Sequence, residues 1–199
     1  DGYKLSSGNL LKSDWNKLDE AISRLSDTKI FIDDTPGMTI SEIKAKCRRL
    51  SSSEDGLDVV IIDYLQIIQP SNAGKGSTKD IIDNHVRELK KLQVDNDIVL
   101  ILISSFNRSS YTVPIDYESF KEAGSVEYTA DVLWGLQLQI MGDKMFSNTK
   151  TTLSEKREKI NEGKSQNPRK MELVCIKNRF GGNYSCLFDY YPQYIYSKP

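Results

Sequence analysis

Two short aliphatic runs constrain this chain more than anything else in it: residues 58–64 (DVVIIDY) and 98–103 (IVLILI). Each has strand length and is apolar at successive positions, the pattern of a strand covered on both faces. Between them Ile82, Val86, Leu89 and Leu92 recur at helical spacing within residues 81–94. Strand, helix, strand is the unit that builds a parallel sheet, because parallel neighbours need a long crossover.

The flanking segments extend this pattern. Ser13-Asp14 reads as a helix start, with Trp15, Leu18, Ile22 and Leu25 on one face. Residues 29–33 (KIFID) read as a short strand. Thr39-Ile40-Ser41-Glu42 has the form of a capping box, with Met38 placed to staple onto Ile43. Ile40, Ile43, Cys47 and Leu50 continue that helix's apolar face. The order helix, strand, helix, strand, helix, strand predicts an α/β fold with a mostly parallel sheet flanked by helices. Residues 70–77 (PSNAGKGS) read as a polar loop.

The last third differs. Residues 132–141 read as a strand, and 171–177, 183–190 and 193–196 as further strands, with Gly181-Gly182 turning one into the next. They predict antiparallel β-hairpin strands at the C-terminal end. Tyr190, Tyr191, Tyr194 and Tyr196 are then cross-strand packing rather than a platform for stacked bases. Residues 142–168 are polar and lack an apolar stripe over most of their length. They are expected to be disordered, or helical and exposed over TTLSEKREKINEGK.

Charge and cysteine content narrow the function classes. Among 199 residues, 27 Lys+Arg stand against 28 Asp+Glu, which excludes an overall basic nucleic-acid coat and an acidic tail. Residues 144–179 nevertheless hold ten Lys/Arg against four Glu, a surplus of six. Cys47, Cys175 and Cys186 are odd in number and far apart, and His85 is the only histidine, so neither a zinc site nor a disulfide framework is expected. His85 is read as structural. A reducing, cytoplasmic setting fits, and no apolar run approaches the ~20 residues of a membrane span. The chain opens at Asp1 without a strand or capped helix, so it is expected to be part of something longer.

Two constellations can carry chemistry. Four β-branched residues, Val59 to Ile62, place Asp63 at the carboxyl end of a buried strand, where open α/β sheets bind ligands. Such a carboxylate suits the Mg2+ of a nucleotide, although a strand-end Asp also caps turns. The second is Ser104-Ser105-Phe106-Asn107-Arg108, directly after the neighbouring strand, which is a phosphate sensor or an ordinary turn. A GxxxxGK[ST] phosphate loop does not occur in the chain. Gly74-Lys75-Gly76-Ser77 mimics one but lacks the first Gly and the Ser/Thr after Lys. It reads as a loop whose Lys75 and glycines could approach a nucleic-acid backbone, or as a plain linker.

Taken together, FIDDTPGMTISEIKAKCRRL, VVIIDYLQII, ISSFNRS, FKEAGSVEYTAD and IKNRFGG, after Trp15 in a polar helix, stand in the order and spacing of DnaB-type replicative DNA helicases. The chain resembles the RecA-like motor domain of that family from its middle onward, over about residues 7–196. The resemblance implies a single partial RecA-like domain across residues 1–199. It implies Asp63 as the Walker-B carboxylate holding Mg2+ and Gln66 as support for the strand end. Ser104 to Arg108, with Asn107 and Arg108 at its end, matches a stretch facing the nucleotide. Ser105 stands where the family has a γ-phosphate-sensing Gln, and its hydroxyl is too short to replace Gln without a bridging water. Lys177 and Arg179 match a Lys-x-Arg pair that reaches the ATP of a neighbouring subunit. Cations against a transferring phosphoryl group are worth ~10³–10⁵ in rate where an Arg finger is measured. Lys121, Glu122, Gly124 and Ser125 match the loop that holds DNA, with Lys121 where the family commonly has Arg. Glu127 and Asp131 match family acids without an assigned role.

The implied function is an ATP-dependent DNA helicase motor for replication. It would act as a homohexamer on single-stranded DNA, with ATP and Mg2+ as cofactors and a primase or helicase loader as possible partners. The segment alone, lacking the phosphate loop and a catalytic Glu, is expected to be inactive. The sequence leaves two alternatives open: a non-catalytic DnaB-like protein that binds DNA or joins a ring, and a RecA-like recombinase relative.

Overall fold

The computed structural model describes residues 2–70, 77–120 and 123–199, Ala123 by its backbone only. The chain begins with α1 (Gly2–Ser7) and α2 (Lys12–Ser26). Asp14 accepts a hydrogen bond from the Leu11 backbone N–H at 3.1 Å and from Lys4 Nζ at 3.3 Å, so the helix begins at Lys12 and Ser13 is not its cap. No residue of α2 is buried, and its apolar stripe, with Trp15, Ile22 and Leu25, faces outward.

Residues 29–33 do not form a strand, a correction to the sequence reading. A strand needs a neighbour with a free edge, and no described residue pairs with this segment. It is tied down by its polar end instead. Lys46 donates to Asp33 at 2.5 Å, and that hydrogen bond, with those from Thr35, holds the Asp33 carboxyl down at about 2.

The capping box forms as read. In α3 (Ile40–Ser51) the Thr39 hydroxyl accepts from the Glu42 N–H at 3.4 Å, and the Glu42 carboxylate accepts from the Thr39 N–H at 2.8 Å. This satisfies donors that a helix start otherwise leaves bare. A second box opens α4 (Thr78–Asn96), where Ser77 and Asp80 make the same exchange at 3.2 and 2.9 Å. Ile40, Ile43 and Cys47 of α3 meet Ile82, Val86, Leu89 and Leu92 of α4 in the main core, and Met38 packs against it. Lys44 and Glu88 join the two helices at 2.7 Å.

β1 (Val59–Ile62) and β2 (Val99–Leu102) pair in parallel, Val59 with Val99 through Ile62 with Leu102. Val60, Ile62, Leu100 and Leu102 point onto the α3–α4 core. Val59, Ile61, Val99 and Ile101 are exposed. Cover on both faces is therefore not what the described residues provide. Both helices lie on one side, and the alternate side chains face away from them.

The second half is built on an antiparallel sheet in the order β3 (Val132–Leu138), β4 (Arg169–Asn178), β5 (Cys186–Tyr191), β6 (Tyr196–Lys198). Tyr191 and Tyr196 are directly opposed, with ring centroids 6.0 Å apart, which is the cross-strand packing expected of these tyrosines. α5 (Ala123–Thr129) precedes β3, and Val126 touches both the main core and a second one around Phe120, Leu133 and Ile176. Residues 142–168 hold α6 (Lys144–Ser147) and α7 (Leu153–Ser165), with Phe146 and Ile160 buried beside Met141. Even Lys156 is buried, its Nζ donating to the Phe146 carbonyl at 2.7 Å. A few apolar side chains and one satisfied lysine are enough to seat a segment whose average composition reads as solvated.

Gly135 lies in β3 beside the Ile115 side chain, and a Cβ there would stand 2.5 Å from Ile115 Cγ2. Gly135→Ala is therefore expected to lower stability by about 1–3 kcal/mol. Urea denaturation should show this, and adding Ile115→Ala should cost less than the two separate losses summed.

Candidate nucleotide and nucleic-acid site

The parallel register brings two strand ends together. After Ile62 comes Asp63, exposed at the carboxyl end of β1, and after Leu102 come Ile103, Ser104 and Ser105. Leu65 N–H donates to the Ile103 carbonyl at 2.9 Å, and Ile103 N–H to the Ile62 carbonyl at 3.0 Å. Gln66 completes the link: its Nε2 donates to Ser104 Oγ at 2.8 Å and its Oε1 accepts from the Ser105 N–H at 3.4 Å. Gln66, just after β1, is thus fastened to both residues that follow Ile103 at the end of β2. Asp63 and Ser105 stay exposed beside it.

Asn107 and Arg108 go different ways. The Asn107 Oδ1 accepts from Ser110 N–H at 3.0 Å and from the Ser109 and Ser110 hydroxyls at 2.7 Å, and its Nδ2 donates to the Glu118 carbonyl at 2.5 Å. Its side chain is spent on the turn. Arg108 is exposed. The neighbouring Phe106 packs edge-on against Phe120, centroids 5.2 Å apart, so the segment after β2 is fastened to the residue just before position 121.

Lys75, Lys121 and Glu122 lie outside the described residues. Gly124 and Ser125 fall in the first turn of α5, not in a loop. Among the described residues, a Cβ on Gly124 would meet nothing within 4 Å. The Ser125 hydroxyl is buried without a hydrogen-bond partner among the described residues.

Lys177 and Arg179 come together at the end of β4, and both are held by the last turn of α5. Lys177 Nζ donates to the Glu127 carbonyl at 2.6 Å, and Arg179 Nη2 to the Tyr128 carbonyl at 2.7 Å. Carbonyls at a helix end lack intrahelical partners and accept from cations readily. Asp131 completes the arrangement. Its Oδ1 takes Arg179 Nη1 at 2.9 Å, its Oδ2 takes Lys90 Nζ at 2.7 Å, and its carbonyl takes the Arg179 N–H at 3.0 Å. Lys90, 41 residues upstream on α4, carries no signal in the sequence. His85, buried on the same helix with Nδ1 unpartnered among the described residues, has its pKa lowered by burial, in keeping with a structural histidine.

The parallel β1–β2 unit packed on α3 and α4, followed by the antiparallel four-stranded sheet, has the fold of a RecA-like ATPase domain. The model for the DnaB-like helicase C-terminal domain matches residues 1–196, and the chain belongs to that family. It is 38% identical over 148 residues to the replicative DNA helicase DnaC of Bacillus subtilis (strain 168), covering 72% of this chain and 32% of that one. It is 28% identical over 190 residues to a probable replicative DNA helicase of Trieres chinensis, covering 94% and 40%. Among solved structures, one ATPase domain aligns over 99% of this chain and 64% of its own, with a TM-score of 0.79 and 25% identity. A DnaB-like replicative helicase studied for its interactions with primase aligns over 92% and 41%, with a TM-score of 0.72 and 25% identity. The chain spans about a third of the length of the first of these curated relatives.

The Asp131 carboxyl is held below the usual carboxylate range, first by the Lys90 hydrogen bond and then by the charges of Lys90 and Arg179, against an opposing effect of burial. A depressed folded pKa contributes stability that is present above the unfolded value of about 3.9 and is lost as pH falls through the folded one. The stability gap between wild type and Asp131→Asn should therefore be full at neutral pH and close below about pH 4. Denaturant midpoints across that range would measure it.

Proposed function

We propose that this domain is the motor of an ATP-dependent DNA helicase that unwinds DNA in replication, working in the cytoplasm as a homohexameric ring on single-stranded DNA. The observation that carries the reading is the joined strand ends. Asp63 is exposed where Gln66 fastens the end of β1 to Ser104 and Ser105 at the end of β2. Ligands of open α/β sheets bind at such carboxyl ends.

Asp63 would hold Mg2+. A single exposed carboxylate fits that ion, which keeps waters and takes its remaining ligands from phosphates. No cluster of three or more His, Cys, Asp or Glu that could hold a metal by itself occurs among the described residues. Bound Mg2+ would supply charge neutralisation on the phosphate oxygens. Ser105 would face the same edge and sense phosphate through a bridging water. Asn107 would shape the turn and Arg108 would face the nucleotide side. Lys177 and Arg179 would act in trans, as fixed positive charge against the phosphoryl group of the adjoining subunit's ATP. Lys121, Glu122, Gly124 and Ser125, with Lys75, would line the DNA path, and a primase or loader would dock on the assembled ring.

In the full-length protein, Arg179→Ala is expected to lower DNA-stimulated ATP turnover by roughly 10³–10⁵-fold. Asp63→Ala should abolish it without changing ring assembly. Mixed rings of the two variants should regain turnover that neither has alone, because one subunit supplies Asp63 and its neighbour supplies Arg179. Failure to regain it would remove the trans assignment. Ser105 favours a second reading, a ring subunit that binds DNA without hydrolysis. Absence of ATP turnover from the wild-type full-length protein, with DNA binding intact, would select that reading.

A further inference from the structure

We propose that Asp131 is a positioning residue for the trans-acting cations, presenting the Arg179 guanidinium at a fixed place beside the end of α5. The inference rests on the reading of Lys177 and Arg179 as groups that reach a neighbouring subunit's nucleotide. Three independent contacts fix Arg179: its backbone N–H on the Asp131 carbonyl at 3.0 Å, Nη1 on Asp131 Oδ1 at 2.9 Å, and Nη2 on the Tyr128 carbonyl at 2.7 Å. Two contacts on different nitrogens set the plane of the fork as well as its position. A guanidinium has five N–H donors, so three remain for a phosphate. Nearly half of the Arg179 side chain is exposed, at 47%.

Asp131 can hold this orientation because it is itself held. Lys90 from α4 occupies its other oxygen at 2.7 Å, so the carboxylate cannot rotate away with the arginine. Lys177, two residues before Arg179, is tied to the same helix end through the Glu127 carbonyl at 2.6 Å. Both cations are therefore referenced to one short helix and, through Lys90, to the main core. A flexible surface arginine would have to find its geometry at every turnover, whereas this one starts near it. Misplacing a catalytic cation by about an ångström costs on the order of 10²-fold.

The test uses the full-length protein in its assembled ring, with single-stranded DNA and ATP. Asp131→Asn keeps the size but loses the charge, and it should lower kcat by roughly 10–100-fold with KM for ATP little changed. Asp131→Glu should recover part of the loss, and Lys90→Met should give a smaller loss. Combining Asp131→Asn with Arg179→Ala should be no worse than Arg179→Ala alone. In mixed rings Asp131→Asn should be rescued by Asp63→Ala subunits and not by Arg179→Ala subunits, because the defect falls on the neighbour's ATP. A merely structural lesion would not sort into that class. Should Asp131→Asn fail to assemble, Asp131→Glu and Lys90→Met carry the same comparisons. Unchanged kcat in Asp131→Asn while Arg179→Ala is crippled would overturn this inference and leave the trans reading standing. Unchanged kcat in Arg179→Ala would overturn both.

Discussion

Parallel strands end on the same side of a sheet, and here the register makes that property chemical. Because Ile62 is opposite Leu102, the chain leaves β1 at Asp63 and β2 at Ile103 within reach of one side chain, Gln66. A shift of one residue would turn every apolar side chain of a strand to the other face and separate these ends. In the observed register Val60, Ile62, Leu100 and Leu102 pack on the α3–α4 core, and Asp63 follows directly at the end of β1.

From that edge a chain of contacts runs to the cations. Phe106 and Asn107, just beyond the bridged serines, are fastened to Phe120, Ser119 and Glu118 by ring packing and hydrogen bonds. Residue 120 stands immediately before position 121. α5 begins at Ala123, and its far end carries the carbonyls that hold Lys177 and Arg179. On the proposed reading, the described residues on either side of positions 121 and 122 are therefore each tied to one half of the nucleotide chemistry. Packed side chains and hydrogen bonds of this kind can carry coupling between two sites.

Legibility in the sequence follows the range of the interaction. Thr39 with Glu42 lies within one helical turn, so residue types at the right spacing are enough to find it, and Ile82, Val86, Leu89 and Leu92 emerge from period alone. Residues 29–33 mislead because strand-like composition says nothing about whether a partner edge is present. The same holds for the outer faces of β1 and β2, where aliphatic side chains are exposed. On the proposed reading Asp63, Gln66, Lys177 and Arg179 come from the family match, whereas Asp131 matches a family acid without disclosing a role. Its partners Lys90 and Arg179 stand 41 and 48 residues away, and no local pattern encodes such a meeting. Gly124 and Ser125 are placed in a loop by the family match, yet they stand in α5, whose Val126 touches two cores.

The basic surplus of residues 144–179 illustrates why counted charge is a poor guide to partners. Of its ten cations, Lys156 is buried on the Phe146 carbonyl and Arg169 donates to the Lys164 carbonyl at 2.6 Å. Lys159 pairs with Glu162 and Lys170 with Asp189, both at 2.7 Å, while Lys177 and Arg179 are engaged at the end of α5. Six of the ten thus have partners within the chain, Lys159 on its own helix and the others on neighbouring segments. A polyanion gains most from cations whose only competitors are water and small counterions. Those already bound to carbonyls and carboxylates must first give these up. On the proposed reading the surplus of this region serves its own folding and the neighbour's nucleotide. The grip on DNA is then left to Lys75 and a few residues around position 121, which a nearly neutral chain can supply as well as a basic one.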